Sequence, residues 1–529
     1  MKSYHQYLES SREPVPSLVT DKKPVFRASA IFPVIHNERC TTRVSFMGYW
    51  LLKREIKEIS LVVTLRNQEG RLLKRNLFLI DAAKAFTIEL FPLLEQIKDL
   101  AGKEEFLGSL ELEIFSTRNL VFPYPAFVLC YYSENFSTSV HTTARVYNDV
   151  EDMVENDEAA VPEAGFDIYA GEGLRSFAAF ANGPIEHRSP VIEYTVLNHA
   201  GKEFIGQIRM ENVKPYETVF IFFGRAMDLS RMLEGKPGTI KLKHPFKGFY
   251  PRLVVGNFND SARSVSITHS YYDCSKRDSE SDFWEKKDAS LYHAAVLVPL
   301  FIEDDFYTDL VLYPVYSPSK FSVSIHFYDG VGHPLKAVPH FRKLDTSRRV
   351  FERIEFKEIA RSHSLDPRQV KGADLICESE NAGRFPTRIK MGLNVGRRLV
   401  TTTLPTNICF GLKIGNPNRG RPRSFHWAPF LNVGDSVIVL TNSSAQKDYR
   451  EEALVRLRFY RETDNRCVER QLTIPAHGQK RVELAADEEL KRFMGASTGW
   501  AVFDSDNPFL YGWYFDFHRS GAVAGDHCF

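Results

Sequence analysis

Seven cysteines are all that 529 residues contain, and no two of them form a CxxC pair. They stand at Cys40, Cys130, Cys274, Cys377, Cys409, Cys467 and Cys528, an odd and scattered set. That spacing excludes a disulfide framework and a zinc finger, and it predicts reduced thiols in a cytoplasmic protein. Charge of one sign is missing as well: 68 basic residues face 67 acidic ones. Without a net field, the chain is not expected to hold nucleic acid or an anionic membrane. No apolar run approaches the ~18 residues of a spanning helix, so no membrane span is expected. The segment from Met1 to Thr20 is polar, with Glu9, Arg12 and Glu13, and lacks the apolar stretch of a secretory signal. P-loops, GxGxxG turns before a helix, HExxH helices and Cys/His pairs are absent too, and no cofactor or metal is expected.

Aromatic residues are plentiful, with 40 Phe and 22 Tyr in a chain that is 43% hydrophobic and 26% charged. This is globular composition rather than that of a disordered chain. Aromatic rings suit pleated, half-buried surfaces, which points to β-structure. A chain of this length outgrows one hydrophobic core, so about three to five domains are expected.

Self-similarity sets the number at four. Alternating strands run into polar turns at Ser60–Gly70, Val191–Gly201, Ser322–Gly332 and Leu454–Asp464. Leu65, Val196, Phe327 and Phe459 keep a stride of 131, 131 and 132 residues, and Gly70, Gly201, Gly332 and Asp464 keep the same one. Gly or Asp there is what a turn residue with positive φ requires. Phe321, Val323, Ile325 and Phe327 alternate with Ser322, Ser324 and His326, the period of a strand with one face on a core and one in water. Each turn is followed by a second strand, a short amphipathic segment such as Leu93, Ile97 and Leu100, and a glycine-led strand. A proline then introduces the last long strand, at Pro125, Pro251, Pro386 and Pro508.

The pattern predicts an all-β chain of four tandem antiparallel β-sandwiches of about 131 residues, each with six or seven strands and one short helix. Each copy has chain enough for its own core, so the array reads as beads rather than a solenoid. The expected boundaries are an N-terminal tail at 1–28 and copies at 29–148, 164–274, 291–415 and 424–529. Between them lie an acidic linker at 149–163, a linker at 275–290 and a basic one at 416–423.

The fourth copy runs from Trp427–Phe430 through Asp435–Asn442 and Arg456–Tyr460 to the turn Ile474-Pro-Ala-His-Gly478 and Asn507-Pro-Phe509. This order resembles the small soluble transducer of a microbial sensory rhodopsin, over about a quarter of the chain. The resemblance implies a β-sandwich with a ligand- or partner-binding role and no enzyme activity. The other three copies lack the Pro-Ala-His-Gly turn.

Several residues invite a chemical reading. Gly495-Ala-Ser497-Thr-Gly499 matches G-x-S-x-G, with Asp504, Asp506 and His527 following. That motif needs a strand turning into a helix, and here the order is reversed, so a plain turn is expected. Glu303-Asp-Asp305 with Asp309 lacks the spacing of a calcium loop and reads as a solvated loop. Arg397, Arg398, Arg419, Arg421 and Arg423 read as linker charge. A histidine recurs at the end of three copies, His141, His269 and His527, with Thr403 near that place in the third. No second ligand recurs beside it, so no metal site is expected there. These histidines and Tyr131, Tyr132, Tyr313 and Tyr316 are the candidate ligand-facing residues; no catalytic residue is assigned.

The function expected is that of a non-enzymatic binding or scaffold protein. It would present repeated sandwiches to a glycan or protein partner, with avidity across copies. A hydrolytic or carbohydrate-active enzyme with an inter-domain site and a self-assembling structural unit, hence an oligomer, are the alternatives.

Overall fold

The computed structural model describes residues 25–142, 144–147, 163–250, 252–272, 283–285, 292, 294–316, 320–345, 351–380, 384–386, 389–398, 404–414 and 424–529. The three inter-copy linkers lie largely or wholly outside the described residues, as do Cys274, Pro251, Arg419, Arg421 and Arg423. No helix among the described residues is long and apolar enough to cross a membrane.

The fold is all-β, with four tandem antiparallel sandwiches. In the fourth copy the strands are Ser424–Phe430, Asp435–Asn442, Ala453–Arg461, Cys467–Ile474, Gln479–Glu483, Gly499–Ser505, Leu510–Phe517 and Val523–His527. The first, sixth, third and fourth form one sheet in that order, and the fifth, second, seventh and eighth form the other. The other three copies repeat both orders strand for strand, and two add a short edge strand, Tyr271–Tyr272 and Lys413–Ile414. Eight strands per copy correct the six or seven expected. Strands such as Arg27–His36 are buried along nearly their whole length, so they carry no alternation to read.

Local expectations are met where the pattern is strong. Phe321, Val323, Ile325 and Phe327 are fully buried. Their polar neighbours Ser322 and Ser324 are buried too, against the expectation of a wet face. The reason is His340, which folds over them, its N–H donating to Ser324 Oγ (2.9 Å) and its Nδ1 lying 3.0 Å from Ser322 Oγ. Gly70, Gly201 and Gly332 hold φ of +81°, +78° and +86°. Asp464 does not adopt positive φ; its carboxylate instead accepts from Arg461 and Arg466. The short helix follows the fifth strand in every copy, at Leu90–Glu95, Phe223–Ala226 with Leu229–Leu233, Phe356–Ser362 and Glu488–Met494. In the last of these, Asp487 caps the N-terminus by accepting from the Leu490 N–H (2.9 Å), and Leu490 and Met494 face the core. The first copy has a further helix at Tyr49–Lys53.

The copies are not independent beads. Their eighth strands, Ser137–His141, Ser264–His269, Thr406–Gly411 and Val523–His527, meet at a common seam. The first touches the second and the fourth, and the third touches the same two, so the array closes on itself. Each large sheet stays within one copy. The apolar interior does not. Phe177, Val254 and Ile267 of the second copy and Ile438 and Tyr514 of the fourth join the core of the first. Val437, Trp513 and Phe515 of the fourth join the core of the third. Phe301 lies edge-on to Phe515 at 4.9 Å and tilted against Phe517 at 5.1 Å across that joint.

Two hairpin turns dock directly on the next copy. The Gln68 carbonyl accepts from Thr218 N–H (2.8 Å), and the Gly330 carbonyl accepts from Gln479 N–H (3.0 Å). A Cβ on Gly70 would run into the Pro215 carbonyl, and one on Gly332 into that of Ala476, whereas Gly201 faces open space. The docked partners correspond: Tyr216 comes one residue after Pro215 and His477 two after Pro475, and both hold positive φ, +59° and +57°. Arg66 lies over the Tyr216 ring at 4.2 Å, and Tyr328 stacks on His477 at 4.8 Å. The second copy thus supplies, as Pro215-Tyr216, a counterpart to the Pro-Ala-His-Gly turn that residue identity alone did not reveal.

Among the described cysteines, only Cys467 is exposed. Burial pushes the Cys40 and Cys130 thiols up to about 12, against neighbouring arginines that pull the other way. Thiol alkylation of the folded protein, mapped by peptide mass, is expected to modify Cys467 promptly. Cys40, Cys130, Cys377, Cys409 and Cys528 should react only on unfolding.

Candidate functional site

The seam where the eighth strands meet gathers the recurring histidines. Register places His141 opposite Val128, His269 opposite Val254 and His527 opposite Trp513. Counted from the glycine that the second and third copies have in their seventh strands (Gly256, Gly392), the third copy's counterpart of His269 is Gly411, opposite Lys390, rather than Thr403. Thr403 itself lies outside the described residues.

Three copies contribute to one cluster. The His141 ring lies 4.8 Å from that of His269 and 4.6 Å from that of His527. Asp526 faces His141 Nδ1 at 2.7 Å and also accepts the His141 backbone N–H (3.2 Å). His269 Nδ1 faces the Ser270 carbonyl (3.0 Å), and His527 Nδ1 faces that of Cys528 (2.8 Å). Carboxylates and carbonyls only accept, so each ring carries a hydrogen on Nδ1, which leaves Nε2 of His141 and His269 to accept from a donor. Arg252 lies against two of the rings, its Nη2 2.6 Å from His269 Nε2 and 3.4 Å from His141 Nε2, with Nη1 donating to the Thr142 carbonyl (3.1 Å). Burial is the main cause that lowers His141 to about 4, outweighing the attraction of Asp526, and it keeps the ring neutral.

A second polar knot ties the first copy to the fourth. Asp516 is fully buried and accepts from Ser137 Oγ (2.7 Å), Ser436 Oγ (2.6 Å) and the Gly434 N–H (2.9 Å), with His518 Nε2 at 3.1 Å. Burial opposes its charge, but the hydrogen bonds from His518, Ser436 and Ser137 prevail and hold its carboxyl below the usual range.

Between the second and third copies, Arg353 bonds Asp167 at 2.8 Å and stands 3.7 Å from Asp309. Despite that ion pair, Asp309 is pushed up to about 7, because burial outweighs an arginine held closer by Asp167. The adjoining cavity, lined by Asp167, Asn257, Ser266 and Asn407, encloses about 10 Å³, room for one water and not for a substrate. A raised acid binds more protons folded than unfolded, so its stabilising contribution is present at pH 4 and is lost as pH rises towards 7. Asp309→Asn is therefore expected to raise Tm at pH 7.5 and to lose that advantage as pH falls to 4, as read by thermal melts across the range.

The other sequence candidates scatter. Tyr131 is fully buried with its hydroxyl donating to the Pro33 carbonyl (2.7 Å), which corrects its expected ligand-facing role. His141 and His269 are likewise buried, facing other copies. Tyr132 is half-buried, its hydroxyl donating to Glu89 (2.7 Å) beneath Arg43, whose Nη1 reaches the Leu431 carbonyl (3.3 Å) of the fourth copy. Tyr313 and Tyr316 lie on the strand Phe306–Tyr316, and their side chains fall outside the described residues. Ser497 sits in a turn, its carbonyl accepting from Asn432 (2.8 Å), while Asp504 is held by Arg458 (3.0 Å). The acidic run disperses: Glu303 pairs with Arg481 and Lys371, and Asp305 with Arg397. The sequence reading passed over Arg252, Asp516 and Asp526, since no repeated pattern marks them.

No protein-family model matches the chain, and no curated protein does either. Among solved structures, a match is the crystal structure of a tetra-tandem repeat in the extending region of a large adhesion protein. It is 7% identical, over 89% of this chain and 91% of that one, with a TM-score of 0.09. The chain is thus described by its own geometry: four β-sandwiches closed around a seam of histidines.

Proposed function

We propose that the chain is a non-enzymatic binding or scaffold protein whose outer sheet edges take up an extended segment of a partner protein. The reading rests on the fourth strands. Leu72–Leu79, Glu203–Arg209, Pro334–Asp345 and Cys467–Ile474 each end a sheet, with the opposite ends of the copies engaged in the seam. Edge strands are normally blunted by charge, proline or a bulge. The third copy's edge has Pro334, Pro339 and register shifts, and the fourth's has Glu469 and Arg470. The first copy's edge also has Lys74, Arg75 and one register shift near its turn, but it exposes Leu72 and, at its far end, Leu77, Phe78 and Leu79, with Leu77 68% and Leu79 69% exposed. Such an edge suits strand addition, in which backbone bonds supply affinity and side chains supply selectivity. Of the candidate rings, Tyr131 is buried and is withheld from stacking on a sugar.

A displayed library of extended peptides, run beside a glycan array, tests the reading. Peptides should bind, and Leu77→Lys with Leu79→Lys should weaken them about tenfold or more while leaving Tm nearly unchanged, since both side chains are exposed. Glycan binding alone, or peptide binding indifferent to the pair, would overturn it. Concentration-dependent dimerisation abolished by the same pair would assign the edge to self-assembly instead.

A further inference from the structure

We propose that the histidine seam is a transition-metal site, in which Nε2 of His141, His269 and His527 bind one divalent ion across three copies of the repeat. Three arrangements in the cluster point to a cation ligand. Each Nδ1–H is anchored to an acceptor, Asp526, Ser270 or Cys528, which leaves Nε2 as the donor atom of each ring. A carboxylate or carbonyl behind the far nitrogen is the arrangement that orients metal-bound histidines and raises their basicity. One ligand atom from each of His141, Asp526 and His527 lies within 4.8 Å of the others, and His269, outside that group, approaches it with its ring 4.8 Å from that of His141. Finally, a cation is seated there: the Arg252 guanidinium lies against Nε2 of both His141 and His269. A divalent ion would take the place of that guanidinium, with Asp526 balancing part of its charge from behind His141. Arg252 and His527 are only half-buried, so the cluster is reached by solvent on that side.

Three imidazoles favour zinc, cobalt or nickel over calcium or magnesium, and three protein ligands leave a position for water. The ligands come from the first, second and fourth copies, so the ion would fasten the point at which the array closes. Binding to the folded chain alone would raise its stability by mass action.

The test is titration of the full-length protein with zinc chloride by calorimetry, with cobalt(II) absorption as a report on coordination. Expected are one ion per chain, a visible band from low-coordinate cobalt, and a Tm that rises with zinc. Asp526→Asn should weaken binding about 10- to 100-fold by loosening His141. Arg252→Ala should tighten it about tenfold by removing the competing cation. His527→Ala should abolish the cobalt band, and its Tm without zinc shows whether the fold survives. If that variant does not fold, Arg252→Ala still decides. Absence of a stoichiometric ion in both the natural protein and Arg252→Ala would overturn the proposal, as would undiminished binding by folded His527→Ala.

Discussion

Asp516→Ala should destabilise the protein by about 3–5 kcal/mol in chemical denaturation, the cost of breaking a buried, hydrogen-bonded charge network. The side chain has no exposed surface and gathers donors from two copies: Ser137 from the first, and Ser436, Gly434 and His518 from the fourth. Removing the carboxylate leaves those donors buried without their acceptor. Asp516→Asn keeps the shape but accepts through a single oxygen, so a smaller loss is expected. The seam between the first and fourth copies should loosen as well, seen as faster amide exchange in Ser137–His141. A loss below about 1 kcal/mol for the alanine variant would mean that the network contributes little to holding the copies together.

Valine at the docked turns is the second large effect. Gly70→Val and Gly332→Val each force a β-branched residue to positive φ, which is strained wherever it occurs. Each also drives a Cβ into a backbone carbonyl of the neighbouring copy, Pro215 or Ala476. Gly201→Val shares the strain, since its φ is +78°, but meets nothing. The difference between the variants therefore isolates docking, and we expect Gly70→Val and Gly332→Val to lose about 1–3 kcal/mol more than Gly201→Val. The double variant should also split the thermal transition in calorimetry, because copies that share an interior unfold together only while docked. Equal losses at all three positions would show that the turns touch without supporting each other.

The strand-and-turn units and the turn glycines were readable in the residues because their physics is local. Side chains two apart share a face of a strand, and a turn at positive φ selects glycine, so a stride of about 131 residues repeats legibly. Strands buried on both faces, such as Arg27–His36, escaped because they offer no alternation. The sheltered Ser322 and Ser324 escaped because His340 covers them from a neighbouring strand. Within the candidate site, the three histidines stood out by recurrence, but their meeting did not. His141 and Asp526 are 385 residues apart in the chain, and their 2.7 Å contact depends on how two whole sandwiches dock.

By itself, then, the sequence determined the class of the fold, the four copies and the turns that punctuate them, since each follows from neighbours within a few residues. Only the tertiary structure decided that the copies close around their eighth strands and share an interior. It also decided that histidines from three of them meet around His141, with Arg252 against two of the rings. Those outcomes depend on the fit of surfaces between copies, and no short-range periodicity encodes how such surfaces pair.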